Sequence, residues 1–166
     1  MTLMPTYQTF CKGLPRAIAA HLGDDAPPHH QAMSYQVKLW FGNKDLHYEC
    51  GVYVSRKVIE LGLHFESEAI TNLQLLGAFR ARSKVIARAL PTARIEAWDR
   101  GWTRVWESIP LAPFEPAFSD HLAKRFARYV RVLEPILEAE LPTDVRWSQL
   151  ASGQITKRRA THADDP

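Results

Sequence analysis

With 166 residues, 46% of them apolar and 23% charged, the chain can bury one sizeable core, which excludes a disordered polymer and makes a second domain unnecessary. The net charge of +3 permits an acidic partner but lacks the concentrated Lys and Arg of a dedicated nucleic-acid binder. The start MTLMPTYQTF is not a basic segment followed by an apolar run, and no stretch nears the ~18 apolar residues of a membrane span. A cytoplasmic protein is expected.

Along the chain, Tyr7, Phe10, Cys11, Leu14, Ile18 and Leu22 form one helical stripe, with Gly13 and Pro15 predicting a kink or a second helix start. GDDAPPHHQ reads as an exposed loop. Tyr35, Val37, Leu39 and Phe41 alternate with polar neighbours as a half-buried strand, and Gly42-Asn43-Lys44-Asp45 supplies a turn. Leu46 to Val54 and Lys57 to Phe65 follow as two more strands. If Ser55-Arg56 is their turn, Val52 faces Ile59, Cys50 faces Leu61 and Leu46 faces Phe65, which turns every apolar set to one side. That register makes Cys50 a buried free thiol; Cys11 and Cys50 lack the spacing of a metal knuckle.

Ser67-Glu68 should start a long helix along which Ile70, Leu73, Phe79, Val85, Ile86 and Leu90 run, ending before Pro91. A second hairpin runs from Ala93 to Ile109 around Asp99-Arg100-Gly101, with Gly101 left-handed, Ile95 facing Val105 and Glu96 facing Arg104. Ser119-Asp120 should cap a last helix with Leu122, Phe126, Tyr129, Val130, Leu133 and Leu137 inward, bent or shortened at Pro135. The expected fold is therefore α+β, a five-stranded antiparallel sheet in the order α-βββ-α-ββ-α with helices packed on the sheet. Residues 1–141 form the single domain; 142–166 read as a polar, disordered tail from which Trp147 docks back.

The strand register also defines the opposite sheet face. Trp40, His47 and His64 form one row, Lys38, Glu49 and Gly62 the next, then Gln36, Gly51 and Glu60. Histidines His47 and His64 with carboxylates Glu49 and Glu60 could bind a divalent metal or act as an acid/base pair. The commoner meaning of such alternation is a solvated face, with Lys38 and Glu49 as a cross-strand charge pair. Gly51 and Gly62, side by side near Trp40 and Tyr53, suggest a ligand groove or a covering helix. A second candidate surface is basic: Arg80, Arg82, Lys84 and Arg88 on one helix, with Lys124, Arg125, Arg128 and Arg131 on the last. Among these, Arg80, Lys84, Arg88, Lys124, Arg128 and Arg131 are the nucleic-acid candidates. There is no dinucleotide or phosphate-loop motif, zinc-protease motif or nucleophile elbow, so no catalytic residue, cofactor or metal is expected.

The helix and strand order resembles that of type III secretion chaperones and their bacterial relatives, and the resemblance implies a non-enzymatic dimer that holds partner segments. The stretches HYECGVYVSRKVIELGLHF, IEAWDRGWTRVWES and FSDHLAKRFARYVRVLEPIL, within Tyr35 to Leu137, are similar in pattern to a small domain of unknown function appended to restriction-endonuclease-like proteins. That likeness implies an accessory role near nucleic-acid enzymes and transfers no functional residue. The reading is a non-catalytic protein- or peptide-binding domain, homodimeric because Trp40, Trp98, Trp102 and Trp106 lie on or near edge positions. Trp40, His47, Glu49, Glu60 and His64 are its ligand-binding candidates. The alternatives are a nucleic-acid accessory domain using the basic helices, and a metal-dependent or acid/base enzyme using the His/Glu patch.

Overall fold

The alternating apolar pattern that begins at Val37 ends as the middle of a six-stranded antiparallel sheet. The computed structural model describes residues 6–23 and 27–141; the expected tail and the docking of Trp147 lie outside the described residues. Helix α1 (Tyr7–Leu22) is followed by strands β1 (His29–Ala32), β2 (Gln36–Trp40), β3 (Leu46–Tyr53) and β4 (Val58–Phe65). Helices α2 (Ala69–Ala81) and α3 (Ser83–Ala89), strands β5 (Arg94–Ala97) and β6 (Thr103–Pro110), and helix α4 (Pro116–Glu140) complete the order. The strands lie side by side as β1-β2-β3-β4-β6-β5.

The sheet has six strands, not five. The additional one, β1, comes from the stretch read as a loop. All four of its residues are exposed, so it shows no apolar alternation, and backbone pairing to β2 is what holds it. Pro27 and Pro28 stand directly before it. At the other edge β5 is also four residues long.

The expected register is present: Leu46 faces Phe65, Cys50 faces Leu61, Val52 faces Ile59, and across the second hairpin Ile95 faces Val105 and Glu96 faces Arg104. The β3–β4 connection is longer than two residues, a 3-10 turn Val54–Arg56 closed by Lys57 at φ 53. The β5–β6 turn places both Arg100 and Gly101 at positive φ. The inward sets join Phe10, Leu14 and Ile18 of α1, Leu75 and Phe79 of α2, Ile86 of α3, and Leu122, Phe126 and Leu133 of α4 in one core. Each such side chain, fully buried, contributes about 1.5–3 kcal/mol. Every described helix gives buried residues to that core, so all four share one side of the sheet and leave the other side without a helix among the described residues.

The helices depart from the expected pattern. Helix α1 runs unbroken through Pro15, which is buried. The long helix after β4 is two helices, interrupted at Arg82 (φ −104, ψ 16). Of the apolar residues along it, Ile70, Leu73 and Val85 are 65%, 60% and 60% exposed. Helix α4 begins at Pro116, behind the N-cap Glu115, and not at Ser119-Asp120; it passes through Pro135. Proline suits the first helical position because its missing N–H has no partner there anyway.

Candidate functional site

Strands β3 and β4 each carry His-x-Glu, as His47-Tyr48-Glu49 and His64-Phe65-Glu66. Alternation sends Tyr48 and Phe65 into the core and the histidines and glutamates to the helix-free side. Because the strands run antiparallel with His47 opposite His64, the two triplets are related by a local two-fold through the histidine pair. Glu66 follows the last residue of β4, and its N–H donates to the Asp45 carbonyl at 2.8 Å, extending the ladder one step.

The result is a tight quartet. The imidazole rings stack with centroids 5.6 Å apart. His47 Nε2 lies 3.2 Å from Glu49 Oε2 and 3.8 Å from Glu66 Oε1, and His64 Nδ1 lies 3.3 Å from Glu66 Oε1. His47 Nδ1 donates to the Lys44 carbonyl at 2.8 Å. Lys38 Nζ stands 3.9 Å from Glu49 Oε2. His47, Glu49 and His64 are only 2%, 4% and 3% exposed, so this face is not the solvated one that alternation suggested. Burial raises the Glu49 pKa, but the His47 hydrogen bond and the neighbouring histidine charges outweigh it and bring it down to about 2. Glu66 is likewise held low: burial is again opposed by the His64 hydrogen bond and by charge on His47 and His64.

Glu60, grouped with the histidines in the sequence reading, belongs elsewhere. Its carboxylate accepts from Arg56 at 3.0 Å and from Arg104 at 3.3 Å. Arg104 is itself stacked between the rings of Trp98 and Trp106, at 4.4 and 3.7 Å, and Arg94 lies on Trp106 at 4.3 Å. Trp98 meets His64 edge-on at 5.0 Å. Trp40 stacks on His29 and carries Lys44 Nζ at 5.1 Å. The space beside Gly51 and Gly62 is taken by the chain itself: a Cβ at Gly51 would meet the Tyr53 ring at 2.9 Å, and one at Gly62 the Trp106 Cβ at 2.6 Å. Trp40, Trp98 and Trp106 therefore have intramolecular partners on this face.

The structure brings His47, Glu49 and His64 together, leaves Trp40 and Glu60 outside their circle, and adds Glu66. The repeated His-x-Glu was the legible signal for Glu66. It is hard to see because the residue lies one place past the strand, in the connection that leads to α2. These four residues are the group of at least three metal-ligating side chains within reach of one another among the described residues, every donor within 4.8 Å of the rest.

The basic helices present a different surface. Arg80, Lys84, Arg88, Lys124, Arg128 and Arg131 are all exposed. Arg128 Nε donates to the Ala89 carbonyl at 2.8 Å, drawing the end of α3 to α4, and Arg131 donates to the His21 carbonyl. Arg82 pairs with Glu140, and Arg125 with the buried Glu107. Among the described residues no helix is long and apolar enough to cross a membrane. Comparison with protein-family models, with curated proteins and with solved structures finds no match.

Proposed function

We propose that this chain is a non-catalytic protein-binding domain that pairs with a second copy of itself through the outward side of α2. The observation that carries the reading is that α2 has large apolar side chains on two sides, one of them exposed. Leu75, Leu76 and Phe79 face the core, while Ile70 and Leu73 face outward and are exposed. Large apolar side chains left exposed beside one another mark a surface for a partner. A second copy fits because the helix is self-complementary. Gly77 has nothing within 4 Å of where its Cβ would be, leaving a notch one turn beyond Leu73. In an antiparallel crossing about a two-fold axis, Ile70 of one copy enters the Gly77 notch of the other. The same crossing sets exposed Glu68, just before the helix, against exposed Arg80 near its end.

Sedimentation velocity at micromolar concentration should find a dimer, and Leu73→Glu should convert it to a monomer without loss of helicity. A wild-type chain that sediments only as a monomer removes the reading. The acid/base enzyme alternative draws on the His/Glu quartet, whose four side chains are each no more than 14% exposed and offer a substrate little access.

A nucleic-acid accessory role is the second reading, and it has its own observation. The Arg128 contact to Ala89 sets the exposed Lys84 and Arg88 beside α4, and Arg80, Lys84, Arg88 and Lys124 have no acidic partner among the described residues. It requires retention on duplex DNA or RNA that collapses as salt rises. Retention indifferent to salt, or none, counts against it.

A further inference from the structure

We propose that His47, Glu49, His64 and Glu66 bind one divalent transition-metal ion, zinc being the best match, as a structural clamp between β3 and β4. The first argument concerns the His47 ring. Its Nδ1 is 2.8 Å from a backbone carbonyl, which can only accept, so Nδ1 carries the hydrogen. A neutral ring then aims a lone pair from Nε2 at Glu49 Oε2, 3.2 Å away, and towards Glu66 Oε1 at 3.8 Å. An ionised carboxylate has only lone pairs to offer in return. Something positive stands between these atoms, a proton or a cation. A carbonyl that fixes the far nitrogen of the ring is the support that metal-binding histidines ordinarily have.

Size favours the cation. With metal–ligand bonds of about 2.0–2.1 Å, the corners of a tetrahedron are about 3.3–3.4 Å apart. Three separations among the four donors are 3.2, 3.3 and 3.8 Å, and none exceeds 4.8 Å. The cluster needs only a small contraction along its longest edges to close on an ion.

Charge favours it too. Two carboxylates and two neutral imidazoles neutralise a dication. Without the ion, Lys38 Nζ at 3.9 Å from Glu49 offsets only one carboxylate, and protons held among the stacked imidazoles must supply the rest in a buried place. Loading a metal therefore releases the bridging protons to solvent as nitrogen and oxygen lone pairs bind the ion. Two nitrogens and two carboxylate oxygens suit zinc and its neighbours better than the all-oxygen cages of calcium or magnesium, or the sulfur sites of copper(I). Four protein donors fill a tetrahedral shell, so the ion has no open position for substrate and its role is structural. This proposal is independent of pairing through α2, since the quartet lies on the opposite side of the sheet from the helices.

The test uses the full chain, stripped with a chelator, dialysed, and titrated with zinc chloride by calorimetry and with cobalt(II) chloride by visible absorption. One ion per chain is expected, with the intense visible bands of four-coordinate cobalt and a rise in melting temperature. Glu66→Gln, which changes little in shape, should weaken binding by about tenfold or more. Glu60→Gln should leave it unchanged. If a histidine variant fails to fold, the glutamine variants, checked by circular dichroism, still decide the matter. No saturable binding overturns the proposal. So does binding that Glu49→Gln and Glu66→Gln leave intact, since the ion then sits elsewhere, as on His29 and His30.

Discussion

Gly62 and Gly51 occupy the same sheet face, but a methyl group would meet different neighbours at each. At Gly62 the Cβ would fall 2.3 Å from the Val105 carbonyl oxygen and 2.7 Å from Trp106 Cα, backbone atoms that cannot retreat without parting β4 from β6. At Gly51 it would meet only the ring of Tyr53, which can swing towards solvent. Gly62→Ala is expected to cost about 1–3 kcal/mol by urea denaturation and Gly51→Ala distinctly less. Equal effects would show that β6 yields at Gly62 as readily as the Tyr53 ring does at Gly51. At this scale the sequence was informative wherever alternation decides which way a side chain points. It turned Cys50 inward and His47, Glu49 and His64 the other way, and all four are so placed. It was silent on whether the outward residues meet water, because that depends on Trp98, Trp106 and Arg104 arriving from a hairpin some forty residues later. For the same reason alternation alone groups Glu60 with the histidines, whereas its partner Arg104 comes from β6, the neighbour of β4 on its other side.

Among the elements, the start of α2 is held by a residue that no capping motif announced. Asn72, buried within the first turn, accepts from the Ser67 N–H at 2.9 Å and donates to the carbonyls of Ser67 and Gly101 at 2.9 and 3.0 Å. One side chain thus joins the β4–α2 connection to the β5–β6 turn. Asn72→Ala would leave that buried amide and two carbonyls without this partner, at a cost of about 1–3 kcal/mol seen as a lowered urea midpoint. Asn72→Asp keeps the acceptor but removes both donated bonds, so it should restore little. A substitution without effect would show that water replaces the amide. The long helix after β4 was misread for a related reason. Periodicity identifies an inward face only when the other faces are polar, and α2 has Ile70 and Leu73 on one side and Leu75, Leu76 and Phe79 on another. By contrast, α4 has a single stripe, and every residue expected inward there is buried.

For the molecule as a whole, the class of fold was legible because each apolar set had one consistent partner set. The strand count was not, because β1 is exposed throughout and owes its place to backbone hydrogen bonds that leave no trace in residue type. The two surfaces proposed here lie on opposite sides of the sheet, and their tests do not interfere. A dimer lost in Leu73→Glu should still take up zinc, and Glu66→Gln should still pair.

The two shortest strands carry a consequence for how far such pairing can go. Outermost β1 and β5 each present only four residues of unpaired backbone, and two prolines, which have no N–H to offer, stand immediately ahead of β1. Recruitment of further chains strand by strand into a fibre therefore has almost no template on either flank. A partnership made through helices closes on itself and ends there, so crowding this protein should yield discrete particles and not polymers.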